Sequence, residues 1–122
     1  VRRASLNQAL RNTWRNDKYA RLQFSLSELI RFNKFMKHGI EFAKSINDTP
    51  VLVLQGKLDR LIKPIGTTKL FEELKTQDKE LVVFEQEEHL LLEEKEVSRN
   101  VIAKIDRWID QHQNSNLVAT LH

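Results

Sequence analysis

The 122-residue chain has no cysteine, two prolines, three glycines and no apolar run long enough to cross a membrane. Without cysteine there is no disulfide framework and no thiol nucleophile, which suits the reducing cytoplasm, the expected compartment. Three scattered glycines cannot build a phosphate-cradling loop. No His, Cys or carboxylate group shows metal-ligand spacing, so neither a metal nor another cofactor is expected. No signal peptide is visible, and the chain opens on Val1 rather than Met, as a cut or truncated chain would.

What is present describes a globular chain of one domain's length, 40% hydrophobic and 30% charged. The net charge of +3 is uneven: residues 1–50 carry ten Lys/Arg against four Asp/Glu, and residues 51–122 carry ten against thirteen. A basic half can serve nucleic acid or a membrane surface. Here the positive residues lie between apolar positions along helices, with no basic cluster interleaved with aromatics. A solvated helical face is the better reading, and no nucleic-acid partner is expected.

The chain is organised around Thr49–Pro64, which reads T-P-V-L-V-L-Q-G-K-L-D-R-L-I-K-P. A short apolar run, Val51–Leu54, bounded by Pro50 and Gln55-Gly56, predicts a strand buried on both faces, as in a parallel sheet. Asp59 follows its carboxyl end, where open α/β sheets place their chemistry, although an aspartate there can also simply cap a turn. A second apolar run, Leu81–Phe84, precedes His89. Between the runs, about Gly66–Thr76, Leu70, Phe71 and Leu74 share one helical face. Strand, acid, crossover helix, strand and histidine make a βαβ unit with Asp59 and His89 at one sheet edge. A lone histidine after a strand is more often structural; the pairing with an acid on the neighbouring strand favours a site.

The flanking stretches read as helices. Val1–Asn16 predicts a helical turn or two, followed by a turn at Asn16-Asp17-Lys18-Tyr19. Ser25-Leu26-Ser27-Glu28 has the form of a capping box. The helix it opens runs to about Ile46, with Leu29, Phe32, Phe35 or Met36, Ile40, Ala43 and Ile46 as an apolar stripe. Gly39 weakens its middle by about 1 kcal/mol relative to Ala. A last helix, about Lys95–Gln113, buries Val97, Val101, Ile105, Trp108 and Ile109. Asn114-Ser115-Asn116 then breaks the pattern, and Leu117–His122 is a frayed tail.

The run P-V-L-V-L-Q-G-x-x-D-x-x-I-x-P, the helix G-T-T-K-L-F-E-E-L, the strand K-E-L-V-V-F and His89 with its L-L-x-E tail resemble the C-terminal part of an α/β-hydrolase. The monoacylglycerol lipase and lysophospholipase-like branch is the nearest in pattern, over about Asn16 to Gln113. The order Asp then His, after any Ser, is that of the family. The resemblance implies a partial α/β-hydrolase fold, α/β in class. Residues 1–25 would be a cap-derived helical segment, and residues 26–122 the C-terminal part of the core with the last two parallel strands. It implies that Asp59 orients His89 and that His89 acts as general base and then general acid in a Ser–Asp–His triad cleaving carboxylic esters. The substrate of the full-length protein would then be a lipid-like ester.

Two departures from the family matter. No G-x-S-x-G occurs, and Ser5, Ser25, Ser27, Ser45, Ser98 and Ser115 stand in helical or capping contexts. By itself the chain is therefore expected to be inactive. Where the family has small residues before the histidine, this chain has Glu85-Gln86-Glu87-Glu88, and carboxylates facing the ring would favour imidazolium, a poor base. Two alternatives stay open: a non-catalytic binding or assembly module, and a capped hydrolase of other bond specificity. Nothing blunts the edge of Val51–Leu54, so a homodimer is expected, by antiparallel pairing of two such edges or by exchange of N-terminal helices.

Overall fold

A computed structural model describes residues 5–21, 23–93 and 97–119, except for the side chains of 114–119. Four helices and two strands follow one another: α1 (Gln8–Asn16), α2 (Leu26–Ala43), β1 (Val51–Gly56), α3 (Pro64–Glu73), β2 (Lys79–Phe84) and α4 (Arg99–Ala119). β1 and β2 pair in parallel, from Val51 beside Lys79 to Gly56 beside Phe84. Helix α3 is the crossover between them. The class is α/β, and the arrangement is that of a partial α/β-hydrolase fold.

Both strands outrun their apolar cores, β1 by Gln55-Gly56 and β2 by Lys79-Glu80, because parallel pairing draws the flanking polar backbone into the ladder. Val51–Leu54 is half-buried on both faces, as a continuous apolar run requires.

The helices start where local chemistry satisfies their free N–H groups. Asn7 caps α1, accepting from Leu10 N at 3.2 Å. At α2 the capping box is complete: Ser25 Oγ accepts from Glu28 N, and Glu28 Oε2 accepts from Ser25 N at 2.8 Å. Helix α3 begins two residues earlier than its glycine suggests, because Pro64 occupies the first turn, where its fixed φ fits and its missing N–H costs nothing. It also ends earlier, at Glu73; Leu74 leaves the helix and is buried. Lys79 Nζ donates to the Phe71 carbonyl at 3.1 Å and to the Leu74 carbonyl at 2.6 Å, closing that end.

Three expectations need correction. The apolar stripe of α2 is buried only at its C-terminal part, where Ala43 is buried, Ile40 and Ile46 are half-buried, and Gly39 faces Leu70 of α3. Leu29, Phe32, Phe35 and Met36 are exposed, since α3 does not reach that end of the helix. On α4, Val101 is fully buried and Ile105 and Trp108 are half-buried, but Ile109 faces solvent, and Val97, half-buried, stands before the helix rather than on it. Helix α4 also continues through Asn114-Ser115-Asn116 to Ala119. Asn and Ser each lower helix propensity by less than about 0.7 kcal/mol, and neither Gly nor Pro stands there to stop the helix. The expected start of this helix at Lys95, the opening residues Val1–Ala4 and the tail 120–122 lie outside the described residues.

Helix α4 is tied to the sheet by two polar contacts, Lys104 Nζ to Glu80 at 2.5 Å and His112 Nε2 to both Asp78 carboxylate oxygens at 3.0 Å. The His112 ring also stacks on Trp108, with centroids 3.9 Å apart. Asp78, helped by the Trp108 carbonyl that accepts from Nδ1, raises the pKa of His112 above its ordinary value. A raised pKa contributes stability that is fully present below the unfolded value and is lost as pH rises through the folded one. The expected outcome is that Asp78→Asn lowers stability more at about pH 6 than at about pH 9. Urea unfolding followed by tryptophan fluorescence at both pH values checks this; an equal loss at each would rule out the charged pair.

Candidate active site

Backbone bonds bring Asp59 and His89 together by continuing the ladder past the ends of both strands. Lys57 N donates to the Phe84 carbonyl at 2.8 Å, and Leu58 N to the Glu87 carbonyl at 3.0 Å. The loop after β1 and the loop after β2 therefore leave the sheet side by side. Gly56 sits under this junction. It does not have a positive φ; its role is close approach. A Cβ there would fall inside the van der Waals envelopes of the Glu87 and Glu88 carbonyl oxygens.

Asp59 is buried, and its carboxylate is fully engaged. Oδ1 accepts from Leu61 N at 2.7 Å and Ile62 N at 2.9 Å, the local turn that an aspartate readily forms with the backbone two and three residues on. Oδ2 accepts from His89 Nδ1 at 2.8 Å and from Gln55 Nε2 at 3.3 Å. Burial pushes the Asp59 pKa up, but the bonds from His89, Ile62 and Leu61 outweigh it and hold the carboxyl below its usual value. Asp59 is thus an anion at neutral pH.

Asp59 is the only hydrogen-bond partner of the His89 ring among the described residues. A neutral imidazole that donates from Nδ1 to a carboxylate carries its free lone pair on Nε2. The His89 side chain is 28% exposed, so the ring is not sealed in. Such a pair can accept a proton from a neighbouring hydroxyl while the carboxylate stabilises the imidazolium.

Two carboxylates of the acidic run before His89 are directed elsewhere. Glu85 pairs with Lys57 at 2.5 Å, and Glu88 Oε2 accepts from Leu6 N at 2.7 Å. Neither carboxylate is bonded to the ring.

Ser5 excepted, which lies before α1 and its cap Asn7, the serines occupy the expected helical or capping contexts. Ser25 caps α2 and bonds to Ser27, Ser45 Oγ donates to the Phe42 carbonyl, and Ser98 provides the carbonyl that starts α4. Ser5 is buried, and its Oγ accepts from Asn7 N at 3.0 Å. Ser115 lies within α4. Neither strand is followed by a serine in a tight turn to a helix. No group of described residues is placed to hold a metal ion.

Gln55 was legible in the sequence only as the end of a strand. It is a buried polar residue that touches Asp59, and the available signal was an amide closing an apolar run four positions before the acid.

The family described as Serine aminopeptidase, S33 matches residues 1–96. A monoglyceride lipase of Homo sapiens is 41% identical over 63 residues, covering 51% of this chain and 21% of the relative. A monoglyceride lipase of Saccharomyces cerevisiae is 27% identical over 93 residues, covering 67% of this chain and 30% of the relative. The chain thus spans between about a fifth and a third of the length of these curated relatives. No solved structure matches it.

Because Gly56 is pressed against the loop that carries His89, Gly56→Ala is expected to destabilise the fold by about 1–3 kcal/mol through overpacking. The same change should move His89 away from Asp59. Denaturant unfolding gives the first effect and the His89 ring resonances the second; a variant as stable as the parent would show that the loop yields freely.

Proposed function

Since the chain belongs to the serine aminopeptidase S33 family of α/β-hydrolases, we propose that it supplies the acid and the base of a Ser–Asp–His triad. The bond from His89 Nδ1 to Asp59 Oδ2 at 2.8 Å, at the carboxyl ends of adjacent parallel strands, carries this reading. Asp59 orients the imidazole and stabilises its charged form. His89 takes the proton of a serine hydroxyl during attack and returns it to the leaving group. The substrate class we assign is a carboxylic ester of monoacylglycerol or lysophospholipid type, supported by the similarity to two monoglyceride lipases. The engagement of Glu85 with Lys57 and of Glu88 with Leu6 N supports the catalytic reading over a non-catalytic module.

The reaction also needs a nucleophile and an oxyanion hole, which in α/β-hydrolases come from the G-x-S-x-G turn and an earlier loop. This sequence contains no G-x-S-x-G. The 122-residue chain is therefore expected to hydrolyse p-nitrophenyl esters no faster than its His89→Ala variant. Turnover lost on that substitution would reveal a nucleophile within the chain. In a longer protein that carries this segment together with a nucleophile turn, Asp59→Asn and His89→Ala should each lower kcat by roughly 10³–10⁴. Retention of activity by both would remove the triad assignment.

Within this reading, residues 1–25 are a cap-derived segment, and residues 26–122 are the C-terminal part of the core. No helix among the described residues is long and apolar enough to cross a membrane. The cytoplasm is the compartment we assign, as the lack of cysteine suits; recovery with a membrane or secreted fraction would count against it.

We extend the proposal to assembly. Among the described residues β1 pairs with β2 alone, so its other edge presents free N–H and C=O groups beside apolar side chains. Antiparallel pairing of two Val51–Leu54 edges across a two-fold axis would satisfy them, with exchange of N-terminal helices as the second device. Light scattering at micromolar concentration should give the mass of a dimer; a cooperatively unfolding monomer would remove the idea.

A further inference from the structure

Gln55 is the last inward-facing residue of β1, and with 4% exposure it is as buried as Leu74. A buried primary amide is stable only if its two donors and its acceptor are satisfied. Its nitrogen faces three oxygens: the Gly56 carbonyl at 2.8 Å, Asp59 Oδ2 at 3.3 Å and the Ile62 carbonyl at 3.4 Å. Its oxygen accepts from the Thr67 hydroxyl of α3 at 2.5 Å. This environment permits one orientation of the amide, because a flip would set Oε1 against three oxygen acceptors. The side chain thereby joins the end of β1, the turn that holds Asp59 and the first turns of the crossover helix.

We propose that Gln55, held in one orientation by Thr67, is a positioning residue for the triad: it anchors Asp59 Oδ2 at the rotation that receives His89 Nδ1. The inference rests on the Asp59–His89 reading above. The two backbone N–H groups of Leu61 and Ile62 fix only Oδ1. A combined change of χ1 and χ2 that pivots the carboxylate about Oδ1 would keep those two bonds while carrying Oδ2 away from the ring. Among the described residues Gln55 supplies the second bond to Oδ2, from the side of the sheet, and so opposes that motion. Methionine at this position fills similar volume without a donor. Valine at 67 keeps the shape of threonine and removes the hydroxyl that orients the amide.

Nitrogen-15 NMR of the 122-residue chain tests this, with the His89 signals identified by their loss in His89→Ala. The wild-type chain is expected to show a downfield Nδ1-bound proton on His89 that disappears in Asp59→Asn. In Gln55→Met the same resonance should be lost to exchange or move upfield, with the far-ultraviolet circular dichroism unchanged. Thr67→Val should move it in the same direction by less. If the wild-type chain lacks the resonance, or Asp59→Asn leaves it in place, the Asp59–His89 pairing fails, and this inference with it. If Asp59→Asn abolishes it while Gln55→Met folds and leaves its position and exchange rate unchanged, the pairing stands and the role of Gln55 is overturned. Should Gln55→Met fail to fold, Thr67→Val decides alone: an unmoved resonance overturns the proposal and an upfield shift supports it.

Discussion

A carboxylate withdrawn from water must be compensated by hydrogen bonds, and Asp59 is the clearest case of that constraint in this molecule. Its two oxygens accept from Leu61 N, Ile62 N, His89 and Gln55. Those donors come from the turn after β1, the loop after β2 and the end of β1. Meeting the needs of one anion therefore joins separate parts of the chain. An unpaired buried charge would cost several kcal/mol, so the turn, the loop and the strand end are constrained together.

The sheet makes that constraint possible. In parallel pairing, the ends of adjacent strands emerge at the same edge, and the bonds from Lys57 N and Leu58 N carry the ladder on into the two loops. Gly56 allows the loop before His89 to lie directly against the strand end. A single crossover helix, opened by Pro64 and closed by Lys79, has the length needed to bring β2 alongside β1. The same helix presents Thr67 to Gln55, so the connection between the strands also helps define the surroundings of the acid.

Away from this region burial is thin. Ala43, Leu74, Leu90 and Val101 are the buried apolar side chains among the described residues, while much of α2 exposes Phe, Leu, Ile and Met. Apolar surface of this extent is unusual for a small independent domain and is characteristic of a surface that meets another. The chain spans less than a third of the length of each of the two monoglyceride lipases it is similar to.

The sequence by itself determined the βαβ order, the capping box at Ser25 and the placing of Asp59 and His89 just beyond the ends of successive strands. Each rests on short-range chemistry: a four-residue apolar run between Pro and Gly, a hydroxyl three residues from a glutamate, an acid just beyond a strand end. It left unresolved what depends on contacts distant in sequence. Whether Leu29, Phe32 and Phe35 are covered depends on the reach of α3, which no periodicity encodes. Whether Glu85 and Glu88 face His89 was decided by Lys57 and Leu6, residues 28 and 82 positions away. Gln55 read as the end of a strand, because its meaning arises only where Asp59, Ile62 and Thr67 converge on its amide. Hydrophobic pattern and capping act within a few residues and can be read along the chain. The direction of a charged or amide side chain is set by whichever partner the folded chain places beside it, and only the tertiary structure decided that.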